Sequence, residues 1–164
     1  MLVGILSDTH NNLPAMAAAM AALGQKGVQY YIHCGDVGST RILDYLAGER
    51  AAFVWGNCDY DRVGLRNYAG TLGVTCLEAF GELELGGKRF AVLHGDDHRL
   101  KARVLAEQKH DYLLQGHTHM QADEKTGRTR LINPGALHRA REKTVAVLDT
   151  ESDKLEYLRI DESR

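Results

Sequence analysis

Five times along this chain a short apolar, strand-like run gives way to a side chain able to hold a metal, usually through a small residue. Leu2 to Leu6 leads to Asp8 and His10, Tyr31-Ile32-His33-Cys34-Gly35 leads to Asp36, and Phe53-Val54-Trp55-Gly56 leads to Asn57. Phe90 to Leu93 leads to His94, and Tyr112 to Gly116 leads to His117 and His119. Such runs read as buried strands, and in α/β proteins sites gather at the carboxyl ends of strands. The pattern restricts the chain to a sheet-centred α/β fold in which five strand ends can converge on one point.

The remaining segments agree. Asn12 is placed to cap a helix whose first turn tolerates Pro14, with Leu13, Met16, Ala17, Met20 and Leu23 at helical spacing and Gly24 as a stop. Further helices are expected over Thr40 to Leu46 and Leu100 to Gln108. Strands are expected over Tyr30 to His33, Ala51 to Trp55, Tyr112 to Gln115, Arg130 to Ile132, Thr144 to Leu148 and Leu155 to Ile160. Glu82 to Leu85 and Lys88 to Leu93 read as a hairpin, because Gly86-Gly87 suits a two-residue primed turn. With no repeat, low-complexity tract or linker, residues 1–164 are expected to form one domain.

Composition narrows the partners. The chain is 44% hydrophobic and 26% charged, which fits a packed core and argues against disorder. Its formal net charge of −2 gives no global basic field for nucleic acid or an anionic membrane. The lack of an aromatic-basic stripe further disfavours long nucleic acid. No apolar run approaches the ~18 residues of a membrane span, and the opening Met1 to Leu6 lacks the basic and long apolar regions of a signal peptide. Cys34, Cys58 and Cys76 are too widely spaced for a zinc knuckle and odd in number for a disulfide framework. The expected location is the cytoplasm.

The candidate ligands discriminate among metals. Imidazoles from His10, His94, His117 and His119, carboxylates from Asp8 and Asp36, and the Asn57 amide form a nitrogen and oxygen set without thiolate. That set suits Mn²⁺, Fe²⁺, Co²⁺, Ni²⁺ or Zn²⁺ better than Ca²⁺ or a structural zinc. It is too many donors for one ion and right for two sharing a carboxylate. On extended backbone, side chains at i and i+2 share a face, so Asp8 with His10, and His117 with His119, are each expected to present two ligands to one region.

Asp8-Thr9-His10, Gly35-Asp36, Gly56-Asn57-Cys58-Asp59, His94-Gly95 and Gly116-His117-Thr118-His119 resemble, in order, the motifs of the calcineurin-like metallophosphoesterases. The chain looks especially like their small, single-domain phosphodiesterase branch, in which Asn133-Pro134-Gly135 also recurs. The resemblance implies a four-layer αββα sandwich with two mixed β-sheets. It implies one ion on Asp8, His10, Asp36 and His119 and a second on Asp36, Asn57, His94 and His117, with Asp36 as bridge. Two divalent ions, Mn²⁺ foremost, would hold a hydroxide for in-line attack on a small phosphodiester. Asp36, Asn57, His117 and Cys58 are the expected catalytic residues, and relatives often form homo-oligomers.

The chain departs from that pattern twice. Many relatives carry His where this chain has Cys58, and His-Gly-His where it has His94-Gly95-Asp96. Asp96, Asp97 or His98 is a candidate for the substrate mouth. His33 is read as a satisfied structural residue, His110 and His138 as surface residues, and Asp59 as a turn or cap. Met16, Ala17 and Met20 are read as core, and Cys34 and Cys76 as inert small hydrophobes. Arg139, Arg141 and Lys143 form the one basic cluster, by default a solvated face and otherwise a contact for an anionic substrate.

Two other functions compete. A non-catalytic scaffold, like the retromer subunit of this fold, would need no intact ligand set, whereas all seven positions here hold competent groups. A metallohydrolase for carbonyl substrates would carry His-x-His-x-Asp-His or His-Glu-x-x-His, and neither is present. A thiol donates hydrogen bonds poorly and, with a pKa near 8.5, matches leaving-group protonation less well than imidazole. Cys58 therefore predicts a preference for diesters with good leaving groups over monoesters. Cys58→His should shift that preference toward monoesters in steady-state assays, and an unchanged ratio refutes the explanation.

Overall fold

The computed structural model describes residues 1–162. Strands β1 (Leu2–Leu6), β2 (Tyr30–His33), β3 (Ala51–Phe53) and β4 (Thr75–Cys76) run parallel in one sheet. Strands β5 (Phe80–Leu85), β6 (Lys88–Leu93), β7 (Tyr112–Leu114), β8 (Gln121–Thr126) and β9 (Thr129–Pro134) form a second. Strands β10 (Thr144–Asp149) and β11 (Lys154–Arg159) return to the first. The orders are β11-β10-β1-β2-β3-β4 and β5-β6-β7-β9-β8. Each sheet mixes directions: β10 lies antiparallel to β1, while β5 and β8 flank the parallel set β6-β7-β9 as antiparallel edges.

Side-chain alternation builds the layers. Val3 and Ile5 of β1 pack with Phe90 and Val92 of β6, and with Tyr112 and Leu114 of β7, between the sheets. The opposite faces meet helices. Leu6 and Phe53 pack against α1 (Leu13–Gln25), α2 (Thr40–Leu43, continued as a 3₁₀ turn over Asp44–Leu46) and α3 (Arg62–Leu72). Ala91, Leu93 and Leu113 pack against Val104 of α4 (His98–Glu107). Three separate cores between successive layers make this the expected αββα sandwich. Strands buried on both faces need continuous apolar sequence, which is why these runs stand out.

Local chemistry sets the helix ends. The Asn12 side chain accepts from the Ala15 amide at 3.3 Å, as a cap should. The helix passes through Gly24 to Gln25 rather than stopping there. Its inward stripe is Ala15, Met16, Ala19 and Leu23, with Met20 partly buried; Ala17, expected in the core, faces solvent. The β5–β6 hairpin turns at Gly86-Gly87 with φ of 57° and 73°, the primed geometry their lack of Cβ permits.

Three elements carry too little apolar periodicity to be read from sequence. α3 buries only Leu65 and Ala69 and contains Gly64 and Gly70, although Asp61 caps it and Gly73 ends it in the left-handed region. β4 has two residues. β8, Gln-Ala-Asp-Glu-Lys-Thr, is a polar edge strand held by its hairpin with β9.

Among the described residues, no helix is long and apolar enough to cross a membrane. Phe90 is fully buried between the sheets and stacks on Tyr112 with ring centroids 4.8 Å apart. Phe90→Ala should lower unfolding free energy by roughly 3–5 kcal/mol, measured by urea titration.

Candidate metal centre

The parallel strands β1, β2 and β3 end side by side, as do β6 and β7, so the loops after them share one rim of the sandwich. The β1–β2 pairing continues past the strands. Asp8, His10 and Asn11 amides donate to the Gly35, Asp36 and Val37 carbonyls at 3.0, 2.9 and 3.1 Å. The backbone there is not extended, as the i and i+2 argument supposed. Asp8, His10, Asp36, His117 and His119 all have φ between 43° and 68°. Side chains still converge, but through left-handed turns that Asp and His tolerate better than most residues.

Each candidate ligand carboxylate divides its oxygens. Asp8 Oδ2 accepts from Ser7 Oγ at 2.6 Å and from the His117 amide at 3.0 Å, tying the two sheets together. Its Oδ1 is buried without a hydrogen-bond donor and lies 3.1 Å from His119 Nε2 and 3.9 Å from both His10 Nε2 and His94 Nε2. Asp36 repeats the arrangement. Oδ1 accepts from the Cys58 amide at 2.8 Å, and Oδ2 lies 3.4 Å from His10 Nε2 and 3.3 Å from His94 Nε2. Asn57 Oδ1 sits 3.0 Å from His94 Nε2 and 3.0 Å from His117 Nδ1.

These donors form clusters with ligand atoms mutually within 4.8 Å: Asp8, His10 and His119; Asp8, Asp36 and His94; and His10, Asp36 and Cys58. A buried carboxylate oxygen with no donor, Asp8 Oδ1, facing imidazole nitrogens is the donor set of a cation site. The clusters are consistent with a dinuclear metal centre. Asp8, Asp36 and His94 form its buried floor, while His10, His119 and Asn57 are partly or fully exposed at its mouth.

Protonation follows the same crowding. Burial pushes the His94 imidazole down, but its bond to Asp36, its bond to the Cys34 carbonyl and the nearby carboxylates outweigh that and raise it to about 9. Burial pushes the Asp36 carboxyl up, and is outweighed by His94, the Cys58 amide and His10, which hold it well below the usual carboxylate range. The Cys58 thiol is raised by burial and by Asp36, so it stays protonated near neutral pH.

A supporting shell fixes the loops. His94 Nδ1 donates to the Cys34 carbonyl at 2.7 Å, directing Nε2 into the site. Buried His33 accepts from the Gly35 amide through Nδ1 at 3.2 Å, so its Nε2 faces Thr9 Oγ1, 2.5 Å away. Burial, with the neighbouring His94, lowers its imidazole to about 3. Asn133 donates to the Gly116 carbonyl at 2.8 Å and to Thr118 Oγ1 at 3.1 Å, bracing the His117–His119 loop. Asp59 is more than a turn residue. Buried, it accepts from the amides of Gly56 (2.8 Å), Val37 (3.2 Å) and Gly38 (2.9 Å), locking the Asn57 loop onto the Asp36 loop. Two glycines permit the closeness: a Cβ on Gly56 would strike the Asp36 carboxylate, and one on Gly116 would strike Ser7 and Asp8.

Other candidates are redistributed. Asp97 caps α4, accepting from the Arg99 and Leu100 amides at 3.0 and 2.9 Å, while Asp96 and His98 are exposed. His110, expected on the surface, is 2% exposed and faces Glu82 at 2.6 Å. His138, likewise expected on the surface, is half-buried with its ring 5.4 Å from that of His10. Lys143 pairs with Glu162 at 3.3 Å, whereas Arg139 and Arg141 are exposed. Cys34 is buried and Cys76 partly so, as small hydrophobes.

Residues 1–153 match the calcineurin-like phosphoesterase superfamily domain. The chain is 28% identical to the phosphodiesterase MJ0936 of Methanocaldococcus jannaschii, over 98% of each chain. It is 32% identical to the probable metallophosphoesterase MJ0623 of the same organism, over 95% of this chain and 79% of that protein. A solved structure described as a novel archaeal phosphodiesterase superposes with a TM-score of 0.91 at 25% identity, covering 98% of this chain and 100% of the other.

Losing the Asp59 carboxylate leaves three loop amides without their acceptor and frees the Asn57 and Asp36 loops to separate. Asp59→Ala should weaken Mn²⁺ binding about 10–100-fold by calorimetry, the usual effect of losing a ligand-orienting group. Unchanged affinity in a folded variant refutes that role.

Proposed function

Because this chain belongs to the calcineurin-like phosphoesterase superfamily, and is a metal-dependent phosphoesterase, we propose that it hydrolyses small phosphodiesters at a dinuclear centre spanning the seven donor residues. One ion would rest on Asp8, His10, Asp36 and His119, and the other on Asp36, Asn57, His94 and His117. The carrying observation is the divided carboxylates: Asp8 and Asp36 each give one oxygen to the backbone and turn the other toward imidazole nitrogens. The nitrogen and oxygen donors favour Mn²⁺ and admit Ni²⁺, Fe²⁺, Co²⁺ or Zn²⁺.

When bound, two such ions supply an activated water near neutral pH and neutralise charge on the phosphoryl oxygens. The chain's own groups do the positioning. Asp36 Oδ2 lies 3.4 Å from His10 Nε2 and 3.3 Å from His94 Nε2, so Asp36 would help to hold both ions. Asn57 and His117, at the exposed mouth, are placed to meet the phosphoryl group as it enters. No side-chain nucleophile is needed or available: Ser7 is buried against Asp8, and Thr9 against His33. Cys58 contributes its amide to Asp36 and holds a neutral thiol beside the site.

Similarity along nearly the whole chain to the phosphodiesterase MJ0936 supports diesters as the substrate class. The three free cysteines suit the reducing cytoplasm. Chelator-stripped protein should hydrolyse bis(p-nitrophenyl) phosphate only after Mn²⁺ is restored, and Asp36→Asn should lose more than about 100-fold of that rate. Metal binding without turnover on any of the five ions would replace the enzyme reading with a scaffold.

A further inference from the structure

An open, shallow cavity of about 510 Å³ lies beside His119, lined by Met120, Ala140, Arg141 and Glu142. Small-ligand sites span about 300–1,000 Å³. His119 forms one wall, so whatever fills the cavity lies against the mouth of the metal centre. Met120 is 68% exposed there, an apolar thioether left to solvent. The loop carrying Arg141 is anchored to the ligands at its start, because Asn133 bonds the Gly116 carbonyl and Thr118. It then passes the site, with the His138 ring 5.4 Å from that of His10.

Charge in this loop is unevenly committed. Glu142 pairs with Arg159 at 3.4 Å and Lys143 with Glu162 at 3.3 Å. Arg139 and Arg141 have no ion pair or side-chain hydrogen bond among the described residues, and of the two only Arg141 lines the cavity. A guanidinium without a partner presents a planar fork of donors that matches an oxyanion. Resting on the phosphodiesterase reading above, we propose that this cavity is a substrate subsite. It holds one organic ester group against Met120 and Ala140, and Arg141 reads a second oxyanionic group carried on it. The favoured substrates are diesters bearing a further carboxylate or phosphate, beyond the diester charge held at the metals.

The test compares p-nitrophenyl phenyl phosphate with its derivatives bearing a carboxylate or a phosphate at the para position of the phenyl ring. All are assayed by p-nitrophenolate release with Mn²⁺-loaded protein. Wild type should favour at least one charged derivative, and Arg141→Gln should cut the charged-to-uncharged ratio of kcat/KM about tenfold. The derivative whose ratio falls more identifies the oxyanion. Arg141→Lys should retain part of the ratio, and Arg103→Gln, on an exposed face of α4, should leave it unmoved. A ratio that Arg141→Gln does not change, or that Arg103→Gln changes equally, overturns the subsite while leaving phosphodiesterase activity in place. Failure of wild type to hydrolyse any of the three diesters overturns both readings together.

Discussion

Lone pairs that point at one another, those of Asp8 and Asp36 buried, are the constraint around which this structure is arranged. Asp8 Oδ1, Asp36 Oδ2, Asn57 Oδ1 and the facing imidazole nitrogens lie 3.0–3.9 Å apart. Such atoms repel unless a proton or a cation stands between them. Every one must therefore be held from behind. The second oxygen of each aspartate does this through a backbone amide, and His94 does it through the Cys34 carbonyl. Without metal, the raised His94 imidazole supplies a proton in the middle of the cluster.

Holding those atoms costs backbone energy. Five of the candidate ligand positions sit in the left-handed region, where a non-glycine residue loses on the order of 1–3 kcal/mol. Ladder hydrogen bonds extended beyond β1 and β2, the three-amide grip of Asp59 and the Asn133 brace offset that loss. Three apolar cores, one between each pair of layers, keep the strand ends in place beneath. The loops can then be strained because the scaffold is not.

The same division explains why position 58 can depart from the family's habit. Its amide, which any residue but proline supplies, makes the contact to Asp36. The thiol itself touches the site, accepting from Asn57 Nδ2 at 3.5 Å and clustering with His10 and Asp36, but the amide contact does not depend on which side chain stands there.

Much of this was legible beforehand because burial writes itself into composition. β1, β3 and β7, most of β2 and the Phe90 to Leu93 half of β6 are apolar runs covered on both faces. α3 and β8 were not legible, since one has two buried side chains and the other is an edge strand facing solvent. Asp59 stood inside a motif yet read as a turn, because its partners Val37 and Gly38 come from another loop. By itself the sequence determined the inventory: seven metal-capable groups, the strand ends that carry them, and the absence of thiolate from that set. The tertiary structure alone decided which oxygen of each carboxylate is structural and which faces the site. It also decided which histidines brace and which point inward, and that Arg141 and His119 line one cavity. Those are matters of a few ångströms between residues as far apart as Asp8 and His117. Local pattern carries no information about them until the two sheets pack.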